Sequence, residues 1–114
     1  MKPFEIYSWQ APGWAEPHPC VVVSHPARAE RKPDVDVVLC ASQRAARDPE
    51  PHEVLLDEAD GLDWPTLCKC DLIYTVPKVQ ITPHKRGEVT ETRQTHLLRT
   101  IIGAHGWGER LARG

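Results

Sequence analysis

No run of 18 apolar residues occurs in the 114-residue chain, so a membrane-spanning helix is not expected. The opening Met1-Lys2-Pro3-Phe4-Glu5 leads into a mixed segment, not an apolar stretch. A secretory leader is therefore not expected, and the cytoplasm is the expected location. A surplus of positive charge is also missing, because 14 Lys+Arg stand against 16 Asp+Glu for a net charge of -2. That excludes a generally basic nucleic-acid coat, so any nucleic-acid site must be a local patch. There is no internal repeat and no low-complexity tract. Without a leader, Cys20, Cys40, Cys68 and Cys70 are expected as reduced thiols and not as disulfides.

What is present fits one domain over residues 1–114, with 40% hydrophobic residues for one modest core. Eleven prolines lie within 3–33 and 49–87, separated by apolar runs, which indicates many connections and not disorder. Phe4 to Trp9 alternates and carries β-formers, a strand. Cys20 to Ser24 and Val35 to Ala41 are short β-branched runs, expected as buried strands, and His52 to Leu56 is a third. Residues 25–33, 42–51 and 57–65 are expected as loops or turns. Thr66 to Val76 alternates with neither face cleanly apolar, as a strand lining a site would. Val79-Gln80-Ile81 is expected as a short edge strand.

The C-terminal part changes period. Leu97, Leu98, Ile101 and Ile102 form one helical stripe, with Thr90 as N-cap and Gly106 as stop. Five to six short strands followed by one helix predict a mainly β chain, a compact barrel or sandwich closed by a helix.

The order and spacing of these segments resemble the MazF/PemK/Kid toxins. The resemblance rests on Glu5-Ile6-Tyr7, on His18-Pro19-Cys20-Val21-Val22-Val23-Ser24, and on Val37-Val38-Leu39-Cys40-Ala41-Ser42-Gln43. Gly61-Leu62 ahead of Leu67-Cys68-Lys69-Cys70-Asp71, then Thr75-Val76-Pro77-Lys78 and Gly87-Glu88-Val89, continue it. It implies an SH3-like small barrel of short antiparallel strands with a C-terminal α-helix, a homodimer, and a sequence-preferring endoribonuclease neutralised by an antitoxin protein. The chain departs from the family at four places: His18 stands where the family has Arg before Pro, Ala41 where it has the first hydroxyl of a Thr-Thr or Thr-Ser pair, Lys69-Cys70-Asp71 where Kid-like members have Arg-Cys-Asp (the acidic member intact), and the opening loop is shorter than usual.

Cleaving RNA through the 2′-OH needs a base, a group that stabilises charge on the phosphate, and an acid for the leaving oxygen, and it requires no metal or cofactor. Asp71 is the candidate base. Lys69, on the same face of an alternating strand, is the candidate phosphate contact. His18 is the candidate acid or a phosphate contact, and Ser42, at the end of a buried strand, is the fourth member of the catalytic set. Gln43 and Arg44 suit base edges and phosphate, and Trp14 suits stacking on an unpaired base. Each has a plainer alternative: an exposed Lys69–Asp71 ion pair, a loop histidine, ordinary turn chemistry at Ser42. Trp9 and Trp107 are expected to be structural. Cys68-x-Cys70 does not have the spacing of a zinc turn, and buried reduced cysteines are the default. The two functions to be weighed are a toxin-like endoribonuclease acting on single-stranded RNA, and an inactive relative that binds nucleic acid or an antitoxin without turnover.

Overall fold

The computed structural model describes residues 1–113. The β-branched runs form strands β1 (Glu5–Trp9), β2 (His18–Val22), β3 (Asp34–Cys40), β4 (Glu53–Leu56) and β5 (Thr66–Pro77), with a two-residue β6 (Gly87–Glu88). All pair antiparallel in one six-stranded sheet of order β4-β5-β3-β2-β1-β6, curled as a half-barrel. The chain is mainly β, as expected. Helices α1 (Pro26–Arg31), α2 (Glu91–His105) and α3 (Trp107–Arg113) complete it.

The sheet carries an apolar layer on each face. Leu97 and Ile101 of α2 pack over Ile6, Val21, Val38, Val54 and Leu56 on one side. Tyr7, Trp9, Val22, Val35, Val37 and Val76 form the other layer, closed by Ala29 of α1 and by Ile81. Four buried cysteines divide between the layers, Cys20 in the second and Cys40, Cys68 and Cys70 in the first, and all are free thiols.

The helix at the C-terminus forms where the sequence places it. Thr90 Oγ1 accepts from the Arg93 amide at 3.4 Å, and Gly106 ends α2 in a left-handed conformation at φ 69°. Three segments differ from expectation. Residues 25–33 contain α1 and are not all loop: Pro26 opens it and His25 Nδ1 accepts from the Ala27 amide at 3.1 Å. Six residues are too few to show a periodic stripe. Residues 79–81 are not a strand, because Lys78–Gln80 form a 3₁₀ turn and only Ile81 makes an isolated bridge, to Trp9. The sixth strand is Gly87–Glu88 instead, paired with β1. Beyond Gly106, Trp107–Arg113 form α3.

A buried carboxylate ties the last strand and α2 to the body. The Asp60 side chain is wholly buried in the 3₁₀ turn Glu58–Asp60. It accepts from the amides of Thr90 and Asp57, each at 3.0 Å, and pairs with Arg93, which also grips Asp57 at 2.7 and 2.9 Å. Gly87 lies against this turn so closely that a Cβ would sit 2.0 Å from the Asp60 carbonyl oxygen. Asp60→Ala leaves two half-buried amides without acceptors and Arg93 without one of its anions. It is expected to cost about 2–4 kcal/mol and to lower Tm by on the order of 10 °C in a thermal melt. A melt within 2–3 °C of the parent (about half a kcal/mol or less) shows that the turn is not held by this carboxylate.

Candidate functional site

Of the residues singled out from sequence, Trp14, His18 and Lys69 lie on the sheet face opposite α2, and the strand register shows how. Tyr7 pairs with Cys20, Cys20 with Leu39, Leu39 with Lys69, and Lys69 with Glu53, one row across five strands. Tyr7, Cys20 and Leu39 belong to the second layer, so Lys69 and Glu53 share its side of the sheet. Two residues along, and so on the same face, Trp9 pairs with His18.

His18 is the first residue of β2 and half-buried, not a loop residue. Its ring stacks at a tilt on Trp14 with centroids 4.5 Å apart, and Trp14 leans on Trp9 at 4.7 Å. His18 Nδ1 lies 3.3 Å from the Cys40 carbonyl oxygen. A carbonyl only accepts, so Nδ1 carries the proton in that contact and Nε2 is the ring nitrogen left for chemistry. Two residues beyond Cys40, Ser42 Oγ and Gln43 Nε2 both donate to Glu16 Oε1, each at 3.0 Å. Thr66 Oγ1 holds the start of this loop by donating to the Ala41 carbonyl at 2.6 Å. The fold therefore brings Trp14, His18, Ser42 and Gln43 into one neighbourhood. Arg44 is exposed in the same loop.

Lys69 and Asp71 are placed differently from the expectation of simple alternation. Leu39 pairs with Lys69, but the next residue of β3, Val38, pairs with Ile73. Cys70, Asp71 and Leu72 are thus a bulge without partners on β3. Cys70 turns into the core while Asp71 and Leu72 are exposed. Lys69 does not reach for Asp71; its Nζ donates to Glu53 Oε2 at 2.6 Å. Among the described contacts Asp71 has no hydrogen-bond or ion-pair partner, so its carboxylate is free.

Glu53 and Arg47 were not anticipated. Glu53 has a wholly buried side chain, and Arg47 Nη1 and Nη2 donate to its two oxygens at 2.6 and 2.9 Å. The Glu50 amide adds a fourth donor at 2.8 Å. The Arg47 hydrogen bonds, then those of Lys69 and the Glu50 amide, hold the Glu53 carboxyl well below its ordinary 4.5 against the opposing effect of burial. One signal was available in the sequence: a lone carboxylate heading Glu53-Val54-Leu55-Leu56 must find cations if that strand is buried.

The thiols offer no nucleophile on this face. Burial pushes Cys20 up to about 12, and the neighbouring thiols Cys40 and Cys70, with burial, hold Cys68 well above its ordinary value. No three His, Cys, Asp or Glu side chains among the described residues converge as a metal site. Depressions of about 550 Å³ (His52, His96, Arg99) and 460 Å³ (His25, Arg28, Arg31) contain none of the residues singled out from sequence.

The sequence pattern of the PemK-like, MazF-like toxins of type II toxin–antitoxin systems matches residues 2–104. The chain belongs to that family. Its fold is similar to that of a mycobacterial endoribonuclease solved with its cognate antitoxin, at 22% identity, TM-score 0.75 and 93% coverage of each chain. It is similar as well to the Mycobacterium tuberculosis toxin MazF-mt6, at 19% identity, TM-score 0.72, and 88% and 94% coverage of this and that chain. A chain of the MazE–MazF structure from Deinococcus radiodurans is similar at 13% identity, TM-score 0.71, and 93% and 96% coverage of this and that chain. No curated protein is significantly similar to the chain in sequence. No helix among the described residues of this PemK-like chain is long and apolar enough to cross a membrane.

The depressed Glu53 carboxyl gives a pH signature. Its bonds stabilise the fold fully above the ordinary value of 4.5, and this contribution is lost as pH falls from there toward the folded value. Urea unfolding from pH 7 to 2.5 should show stability declining below about pH 4.5, with a shallower decline in Glu53→Gln. A residual slope remains because Arg93 holds Asp57 low in the same way. Identical acid limbs in parent and variant mean the Glu53 bonds do not form in solution.

Proposed function

We propose that the chain is the toxin of a type II toxin–antitoxin system, an endoribonuclease that cuts single-stranded RNA by metal-independent acid–base chemistry in the cytoplasm. The observation that carries this reading is the free, exposed Asp71 carboxylate on the β5 bulge, in a chain that belongs to the MazF-like toxins. A carboxylate with no partner keeps its lone pairs for a substrate proton.

In the proposed reaction Asp71 takes the proton of a ribose 2′-OH. The 2′ oxygen bonds to phosphorus as the bond from phosphorus to the 5′ oxygen breaks. Protonated His18 gives its Nε2 proton to that leaving oxygen. The products are a 2′,3′-cyclic phosphate and a 5′-hydroxyl. Lys69 and Ser42 stabilise charge on the phosphate, Gln43 and Arg44 contact phosphate and base edges, and Trp14 stacks on an unpaired base. The related mycobacterial endoribonuclease was solved with an antitoxin. By analogy a cognate antitoxin protein is the proposed inhibitor and a homodimer the proposed assembly.

A binding module without turnover is the second reading, favoured by two observations. Lys69 is engaged with Glu53, and the donors of Ser42 and Gln43 are engaged with Glu16. The deciding experiment incubates purified protein with mixed-sequence RNA in EDTA and sequences the new ends. Cleavage with 2′,3′-cyclic or 3′-phosphate ends supports the nuclease; binding without new ends supports the module. Asp71→Asn should reduce cleavage by roughly 10²–10⁴-fold with RNA affinity kept or improved and Tm unchanged. A variant that melts normally and cuts at the parent rate removes Asp71 from the reaction.

A further inference from the structure

We propose that Arg47, clamped with Lys69 on the buried Glu53 carboxylate, is a second phosphate-binding cation of the RNA site, and that Glu53 is the positioning residue for both. The proposal rests on the RNA reading above and adds residues to that same face.

Glu53 itself does not serve as a base. A carboxylate has about four lone-pair sites, and Glu53 has four donors on them: Arg47 Nη1 and the Glu50 amide on Oε1, Arg47 Nη2 and Lys69 Nζ on Oε2. With its side chain wholly buried, no lone pair remains for a substrate proton. The cations are in the opposite condition. The Arg47 and Lys69 side chains are 48% and 37% exposed. Lys69 uses one of its three donors. Arg47 spends Nη1 on Glu53 and on the Asp48 carbonyl at 3.1 Å, which leaves Nε–H and one Nη2 hydrogen. Within the clamp two cations share one carboxylate, while the Glu50 carboxylate lies close enough to Arg47 to act on its charge.

Position makes this charge specific. Arg47 Nη2 at 2.9 Å and Lys69 Nζ at 2.6 Å share Oε2, so two like charges are held as close neighbours. Without the carboxylate between them they would repel. Two fixed cationic donors side by side suit the two free oxygens of a phosphodiester. Lys69 places them in the row that runs through Leu39 to Cys20, beside the Trp9–His18 row. The clamp also explains how a loop residue, Arg47, is held firmly enough to act: Glu53 is its anchor on β4.

The test uses a 2′-O-methyl RNA that cannot be cut, together with the cleavable RNA. Arg47→Ala takes two donors from the buried Glu53 carboxylate, so it should lower Tm; measured below that Tm, where the variant is folded, it should weaken affinity for the uncut RNA by about tenfold and reduce the slope of log affinity against log salt by about 0.7, one single-strand phosphate contact. Arg47→Lys should restore the slope. Glu53→Gln removes a negative charge near a polyanion, so a purely structural or purely electrostatic role predicts unchanged or tighter binding with kcat unchanged. The positioning role predicts that kcat falls by tenfold or more while affinity is kept. An Arg47→Ala protein with the parental salt slope, or a normally melting Glu53→Gln protein with the parental kcat, overturns the proposal. A parent that binds the RNA without cutting it removes the nuclease reading and leaves the phosphate site to be judged on the salt slope alone. A parent with no RNA affinity removes both.

Discussion

Between Lys69 and Ile73 the strand β5 advances four residues while β3 advances one. Side chains of a strand alternate between faces, so the three unpaired residues reverse the parity of everything after them. Before the bulge, even positions such as Cys68 and Cys70 face the α2 layer; after it, the even positions Tyr74 and Val76 face the other layer. A regular strand of this sequence would turn Tyr74 and Val76 toward α2 and empty the second layer of its centre. The same irregularity leaves the Cys70, Asp71 and Leu72 backbone without β3 partners. The Cys70 amide is satisfied by the His52 carbonyl at 3.0 Å, and the Cys70 carbonyl lies 3.1 Å from His105 Nε2. The bulge thus serves packing on both faces and exposes one carboxylate at the rim.

Charge is organised around two buried carboxylates. Asp60 takes two backbone amides and an arginine, which fixes the start of α2 and the approach of β6. Glu53 takes one amide, an arginine and a lysine, which fixes the loop after β3 onto the edge strand β4. In each, desolvation of the anion is offset by bonds that no single surface pair would supply. They differ in what remains exposed: the Asp60 cluster ends in Arg93, whose anions are both acidic neighbours, whereas the Glu53 cluster leaves two half-exposed cations, Arg47 and Lys69, with unused donors.

Five of the six strands and the long helix were readable because the signals were local. The β-branched runs at 20–24 and 35–41 and the cap and stop at Thr90 and Gly106 each act within a few residues. The sixth strand was misplaced because Gly87–Glu88 has no strand pattern of its own. It pairs with β1 because Gly87 alone can lie against the Asp60 backbone. The candidate site was half legible for the same reason. His18, Trp14, Ser42 and Gln43 meet because β2 and β3 are neighbours, and strand order could anticipate that. The Lys69–Asp71 face could not be anticipated, since alternation says nothing of a bulge. The partnership of Arg47 with Glu53 depends on the path of a loop.

Polar donors on this face are satisfied from within the chain when no substrate is bound. Ser42 and Gln43 would be two donors beside an aromatic wall of Trp14 and His18, and Glu16 from the β1–β2 connection meets both at 3.0 Å with one oxygen. That oxygen is chemically close to a phosphate oxygen: an anion accepting two hydrogen bonds. On the proposed reading, RNA would exchange one anion for another at these donors, so little is lost by stripping water from them and little is gained in number of bonds. The exchange also frees an exposed carboxylate into solvent, where it is stable. The gain must then come from the contacts that have no stand-in within the chain: the exposed donors on Lys69 and Arg47, the open aromatic surface, and the free carboxylate of Asp71. Those are the groups whose chemistry the fold leaves unspent, and they are where binding energy could be turned toward a transition state rather than toward merely holding a strand.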